Sequence, residues 1–206
     1  FVATDSHRLI RYRRVDIVSD MSHSMIIPRK ALTLLKATLP SEVTNVAMEF
    51  NTSNAFFDFN RIKMICRLID ERYPDYENVI PVDNENNVTI GKAELLSSLK
   101  RIAIYANKTT HQVRLKITGS ELMISSEDLD FSNEANERLV CEHDGEDIEI
   151  GFNAKFLIEM LGNISSDQLT FKLSAPNRAG LIEPSNKNEN EDILMLVMPV
   201  MLNNYV

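Results

Sequence analysis

The chain alternates between apolar and polar positions over much of its length. In V-A-M-E-F (46–50), A-F-F-D-F (55–59), I-K-M-I-C-R-L-I (62–69), V-R-L-K-I (113–117), E-L-M-I-S-S (121–126) and L-T-F-K-L (169–173), the character changes at nearly every second residue. Successive side chains of a strand point to opposite faces, so each stretch predicts a strand with one face buried and one wet. F-V-A-T-D (1–5) reads the same way. Three stretches switch to the helical period. The first begins at Pro28, whose fixed φ suits a first turn, and runs to about Thr38. Ala31, Leu32 and Leu35 are expected to face inward there, and Arg29, Thr33 and Lys36 outward. The second covers Lys92 to about Asn107, with Leu95, Leu96, Leu99, Ile102, Ala103 and Ala106 as its apolar stripe. Ser97, Lys100, Arg101, Ile104 and Lys108 lie on or beside its other face. The third runs from Asn153, a predicted N-cap, to about Gly162, a predicted C-cap. The turn-rich region 70–92 reads as a linker, and P-S-N-K-N-E-N-E-D (184–192) as a polar hairpin tip. The expected class is α+β, with antiparallel sheets and a few helices.

The elements recur. I-P-R-K-A-L-T-L-L-K-A-T-L-P (27–40) aligns with F-N-A-K-F-L-I-E-M-L-G-N-I-S (152–165) at an offset of 125, which pairs Lys30 with Lys155, Leu32 with Leu157 and Leu39 with Ile164. The same offset still pairs Met48 with Leu173 and Asp58 with Glu183. A shift of 123 brings V-A-T-D (2–5) onto I-S-S-E (124–127). A module of helix plus strands therefore occurs twice, which signals a stacked or ring-like architecture. The first copy reads as incomplete. The chain opens mid-pattern and without Met, so residues upstream are expected to be missing.

Composition narrows the function. With 206 residues and 44% hydrophobic content there is core enough for one large domain or two small ones. No apolar run approaches the roughly 18 residues of a membrane span, and the start has no signal-peptide pattern. The net charge of −8 is unevenly placed. Residues 1–81 carry 11 basic and 10 acidic side chains, whereas Glu127–Glu149 alone holds 10 acids against Arg138. A solvated face is the simplest account of such a block. Charge this segregated also leaves room for a positive surface elsewhere, and the basic, hydroxyl-bearing helix faces suit phosphate contact without sequence reading. Cys66 and Cys141 lie far apart in strand-like stretches with no zinc spacing, and predict two reduced, buried thiols.

A-T-D-S-H-R-L (3–9) invites an enzymatic reading, with Asp5 and His7 as acid and base of a hydrolase or as metal ligands. Residues two apart on a strand share a face but have too few partners here. His23, His111 and His143 have no ligand spacing, and there is no G-x-S-x-G and no P-loop among only six glycines. The Met-rich M-L-V-M-P-V-M-L (195–202) suits an adaptable apolar site, and Pro199 argues for an edge rather than a central strand.

V-A-T-D-S-H-R-L (2–9), R-Y-P-D-Y-E-N-V-I-P (72–81), E-I-G-F-N (149–153) and L-V-M-P-V-M-L (196–202), in this order and on this repeat, resemble the bacterial sliding clamp family, the beta subunit of DNA polymerase III. The resemblance covers essentially the whole chain. It implies a DNA clamp fold of repeated modules, with antiparallel sheets outside and helices lining the inner face of a head-to-tail homodimeric ring. Residues 1–81 would then be the second half of the middle domain and 82–206 the complete C-terminal domain. It implies no catalysis, no cofactor and no metal. The implied partners are duplex DNA bound without sequence preference, the polymerase alpha subunit, the clamp loader and other proteins carrying a short hydrophobic motif, in the cytoplasm at the nucleoid and away from membranes.

The resemblance also assigns residues. Thr4, Ser6, His7, Arg8 and Leu9 would form one wall of a peptide pocket, and Pro74, Asn78 and Val79 a second. Ala179 and the closing run Leu196, Val197, Met198, Pro199, Val200, Met201 and Leu202 would complete it. Arg29, Lys30, Lys36, Lys100 and Arg101 would face DNA. Ile104, Tyr105, Glu134 and Glu137 would meet the neighbouring subunit. Three departures stand out. Ser6 replaces a common Gly, Met201 replaces a common basic residue, and Asn203–Val206 extend past the usual end. An acidic adaptor that never touches DNA, and a hydrolase using Asp5 and His7, remain the alternatives.

Overall fold

In the computed structural model, which describes residues 1–202, the alternating stretches are strands and the three helical stretches are helices. In chain order these are β1 (Val2–Thr4), β2 (Arg8–Arg14), α1 (Arg29–Thr38), β3 (Ala47–Phe50), β4 (Asn54–Phe59) and β5 (Ile62–Arg67). A single 3-10 turn (Glu77–Val79) precedes β6 (Asn86–Gly91), α2 (Lys92–Ile102), β7 (Gln112–Thr118), β8 (Glu121–Asp128), β9 (Asn133–Val140) and β10 (Glu142–Asp144). The described chain closes with β11 (Ile148–Asn153), α3 (Ala154–Gly162), β12 (Gln168–Leu173), β13 (Gly180–Pro184) and β14 (Glu191–Val197). These build an antiparallel seven-stranded sheet in the order β1-β2-β14-β13-β12-β6-β10, a four-stranded sheet β11-β7-β8-β9 and a three-stranded sheet β3-β4-β5. The α+β expectation holds.

The chain divides into two compact units. The larger comprises Phe1–Val18 with Glu77 onward, and the smaller Ser19–Tyr76. In the larger unit the alternation works as sequence demands. Val113, Leu115 and Ile117 of β7 and Leu169, Phe171 and Leu173 of β12 are buried, while their neighbours Lys116 and Gln168 are exposed. Leu95, Leu99 and Ile102 of α2 and Leu157 and Leu161 of α3 join the same core. The order strand–helix–three strands occurs twice here, as β6-α2-β7-β8-β9 and β11-α3-β12-β13-β14. The smaller unit carries α1-β3-β4-β5. Shifted by 125, α1 falls on α3 and β4 on β13, in keeping with the repeat read from sequence.

Several expectations need correction. α2 ends at Ile102 rather than near Asn107. The N–H groups of Ile104 and Tyr105 donate three residues back instead of four, and the Asn107 side chain accepts from the N–H groups of Thr109 and Thr110, which turns the chain away. Asn153 caps α3 as expected, accepting from the N–H groups of Lys155 and Phe156. Gly162, however, is the last helical residue. The C-cap is Asn163, whose amide donates to the Glu159 carbonyl at 2.8 Å. The linker is shorter than read, because Asn86 and Asn87 belong to β6. Their polarity suggests a turn, but Asn86 takes the Glu146 N–H and Asn87 pairs with Lys172. On α1, Leu35 packs against the small core of Ala55, Phe57 and Phe59, whereas Leu32 is 45% exposed. Both cysteines are free thiols. Cys141 is buried between two strands, and burial raises its thiol pKa, while Cys66 is only half-buried.

Candidate peptide-binding site

The sheet brings the two motif ends of the chain together. β2 pairs with β14 so that Leu9 faces Leu196 and Arg8 faces Val197, and the Met198 N–H donates to the His7 carbonyl at 2.8 Å. Side chains in one row across a sheet share a face. The register continues from Leu196 to Leu181 and from Leu181 to Lys172. The neighbouring row, Ile10–Met195–Ile182–Phe171–Val88, lies in or against the core. Leu9, Leu196 and Leu181 therefore point the other way, away from the core, yet all three are buried.

A strap crosses this outer face. Glu77 at its start is held by Arg13 at 2.8 Å. At its end the Asn84 amide donates to the carbonyls of Lys172 and Ala179, both at 2.9 Å, and Asp83 is paired with Arg178. Val79 in the strap is 56% exposed, and Met198 and Met201 are 42% and 69% exposed. The leucines are covered, and the apolar surface open to a peptide is the exposed rim of Val79, Met198 and Met201.

The turn before β2 is built by its own side chains. Asp5 accepts from the N–H groups of His7 and Arg8 and from Arg8 Nε, and the Thr4 hydroxyl donates to the Arg8 carbonyl. Burial pushes the Asp5 carboxyl up, but the Arg8 side chain and the two N–H groups outweigh it and hold the pKa below its ordinary value. Asp5 thus shapes the turn, and His7 turns its ring elsewhere, stacking on Phe156 of α3 at 5.8 Å between centroids. Ser6 takes φ +73°, the left-handed region that glycine occupies freely.

α3 supplies side chains that the sequence reading did not single out. The Arg8 guanidinium lies over the Phe156 ring at 4.7 Å and pairs with Glu159 at 2.9 Å. Leu181 was also missed. In G-L-I-E-P two adjacent apolar residues are buried on opposite faces, and that doubling is the signal that could have found it. The closing segment is fixed beyond β14. The Val200 N–H donates to the Gly151 carbonyl at 2.8 Å, and Gly151 has no room for a Cβ beneath Val200 and Leu202. Pro74 belongs to the smaller unit, while Asn78 and Val79 form part of the 3-10 turn. Asn203–Val206 lie outside the described residues.

The other assigned residues fall as follows. Arg29, Lys30 and Lys36 are exposed on α1, and Lys100 is exposed on α2. Arg101 pairs with Glu137 of β9 through two bonds of 2.7 and 2.6 Å, so two residues assigned to different surfaces share one ion pair. Ile104 and Tyr105 are exposed just past α2, and Glu134 is exposed on β9, an edge strand. A depression of about 600 Å³ on the four-stranded sheet is lined by Arg114, Ser125, Glu127 and Asn136, a polar lining unlike the leucine row. Among the described residues no three His, Cys, Asp or Glu side chains are grouped to hold a metal, and no helix is long and apolar enough to cross a membrane.

Comparison with known proteins decides the family. Residues 77–201 match the DNA polymerase III beta subunit, C-terminal domain, and residues 1–75 match its central domain. The chain belongs to the DNA polymerase III beta subunit family. Among curated members, the beta sliding clamp of Pseudomonas aeruginosa is 30% identical over 98% of this chain and 54% of its own length. That of Bacillus subtilis is 27% identical over 96% of this chain and 52% of its own. The chain thus spans about half the length of the curated beta clamps it matches. A crystal structure of the P. aeruginosa DnaN clamp bound to griselimycin superposes with a TM-score of 0.88 at 30% identity, covering 98% of this chain and 54% of that one. A Bartonella birtlesii DnaN clamp gives 0.89 at 31%, covering 98% and 57%. The fold is that of the sliding clamp.

Proposed function

We propose that this chain acts as the C-terminal part of a processivity clamp, a ring that encircles duplex DNA and tethers the replicative polymerase through a short hydrophobic peptide. Residues 1–81 would close the middle domain and 82–206 form the last. The observation that carries the reading is the junction of the two motif ends, where Met198 and Met201 stand exposed beside the outward row Leu9–Leu196–Leu181. The clamp works topologically. A closed ring needs few specific DNA contacts, and exposed cations such as Arg29, Lys36 and Lys100 meet phosphates in a salt-sensitive way. Tethering raises the polymerase's local concentration at the primer end. The acidic block keeps DNA from the outer surface. Ile104, Tyr105 and Glu134 would meet the next subunit, and no bond is made or broken by this chain. Asp5 supports this reading against a hydrolase, since its carboxylate is engaged by backbone N–H groups and Arg8.

Binding of a fluorescent pentapeptide of the Gln-Leu-x-Leu-Phe type tests the reading by polarisation. Saturable binding, reduced about tenfold or more in Met198→Ala and in His7→Ala, is expected, since a few central contacts carry most of the energy of such sites and these two side chains stand exposed at the junction of the motif ends. A folded sample that binds no such peptide would remove the pocket from the proposal. Charge reversal at Arg29, Lys36 and Lys100 in the full-length protein should weaken DNA association, whereas an adaptor would be indifferent.

A further inference from the structure

Taking Ile104, Tyr105 and β9 as the subunit contact, as proposed above, we infer that Arg101 and Glu137 touch neither DNA nor the next subunit, but form a brace that positions the contact surface. The register of β9 places Glu137. It stands opposite Ile124 of β8, which is fully buried, so Glu137 points to the helix side of the sheet rather than outward. Ala135 and Leu139, two residues before and after it on the same face, pack against the core. A carboxylate between them costs free energy unless it is paired. Arg101, in the last turn of α2, meets it with Nε at 2.7 Å and Nη2 at 2.6 Å, the two-pronged geometry that suits a guanidinium and a carboxylate. That pairing holds the Glu137 carboxyl below its ordinary pKa. The Glu137 side chain is 27% exposed against 58% for Arg101, so the acid is the more covered of the two. Each charge is answered by the other, and the exposed Lys100 beside Arg101 is the cation left free to meet phosphate.

The pair is one of three ties between the end of α2 and the β8–β9 hairpin. The Ser126 hydroxyl of β8 donates to the Ile102 carbonyl at 2.8 Å, and the Asn107 amide donates to Asp128 at 3.4 Å. Ile104 and Tyr105 lie along the chain between these ties and are exposed. Ser126 and Asp128 belong to β8, so of the three ties only Arg101–Glu137 reaches β9. β9 needs it most, because an edge strand has a ladder on one side alone. Without the brace, β9 must be ordered against Ile104 and Tyr105 during assembly, and ordering on association subtracts from affinity. An ion pair this exposed contributes little, so its loss weakens each contact by about two- to fivefold at most. A head-to-tail ring of two subunits closes two such contacts, and the factor enters squared.

The test uses the full-length protein with its R101Q, E137Q, R101Q/E137Q and charge-swapped R101E/E137R variants, and I104D as the control for the contact. Sedimentation velocity gives the dimer dissociation constant of each. R101Q and E137Q should each raise it by about four- to 25-fold. R101Q/E137Q should be no weaker than either single variant, because one interaction can be lost only once. R101E/E137R should return to within about twofold of the wild type, both in dimerisation and in DNA affinity measured at concentrations where every variant is dimeric. Direct contacts give the opposite result. A Glu137 that met a cation of the next subunit would leave the swapped variant at least as weak as E137Q, and an Arg101 that met phosphate would lower its DNA affinity. Either outcome, additive losses in R101Q/E137Q, or unchanged dimerisation in both single variants overturns the inference while leaving the subunit contact standing, provided I104D weakens the dimer. If I104D dimerises as the wild type does, the contact reading fails and this inference falls with it.

Discussion

Ser6 holds the turn of the first motif in a conformation that a side chain resists. At φ +73° its Cβ crowds the following carbonyl, at a cost of about 1–2 kcal/mol for a non-glycine residue. Replacing it with Gly removes that strain but frees the unfolded chain, which returns roughly 0.5–1 kcal/mol. Ser6→Gly should therefore stabilise the protein by about 0.5 kcal/mol, read as a higher urea midpoint at unchanged slope. Ser6→Val should lower the midpoint, and a drop for Gly would mean that the serine side chain supports the turn in a way its geometry does not reveal. At this scale sequence reading had uneven reach. Asn153 was legible because an Asn before an apolar helical period has one common use. Gly162 misled because Asn163 beyond it caps by its own amide. The left-handed φ of Ser6 carries no local signal in the sequence.

Between elements, the closing segment depends on one absent side chain. A Cβ built on Gly151 would lie 2.4 Å from the Val200 carbonyl oxygen and 2.8 Å from Leu202 Cδ2. Backbone cannot yield as a side-chain tip can, so Gly151→Ala should lift the segment 198–202 from β11 at a cost of about 1–3 kcal/mol. Because Met198 and Pro199 begin that segment, peptide affinity should fall together with stability. Gly162→Ala is the control, since its Cβ would meet no atom within 4 Å. There a gain of roughly 0.5–1 kcal/mol is expected from reduced unfolded-state freedom. Thermal melts and peptide titrations of the pair decide the matter, and equal behaviour would refute the close-approach account. The strands themselves were legible from alternation alone. Their pairing was not, because the β2–β14 register joins residues some 180 positions apart, as in the Arg11–Asp192 ion pair. The edge reading of Pro199 fails, because β14 is an interior strand between β2 and β13 and the proline lies past its end, where no ladder bond is asked of it; Leu181 escaped notice because alternation assigns one buried face to a strand that here has two.

Across the whole chain, the two units differ in how much they bury. The core of the larger unit gathers buried side chains from two sheets and two helices, among them Leu95, Ile124, Phe152, Leu161 and Leu169. The smaller unit fully buries Ala55, Phe57 and Phe59, with Leu35 and Leu39 half-covered beside them. The periodicity of α1 and β3 correctly marks which positions are apolar, but Leu32, Leu34, Met48 and Phe50 are exposed, because a pattern names the face that seeks a partner without supplying one. α2 and α3 provide that partner for each other in the larger unit, whereas α1 is the single helix of its own. Local opening free energy follows the apolar contacts that opening must break. Hydrogen exchange should therefore separate the units. Amides of Ala55 and Phe57 in β4 should exchange at least about tenfold faster than those of Leu115 and Ile124 in β7 and β8, a gap of about 1.4 kcal/mol. Low urea should widen the difference by opening β3–β5 and α1 while the larger unit stays closed. Matched protection across β4 and β7 would instead make the chain one cooperative block, stabilised in its smaller part by something other than buried apolar area.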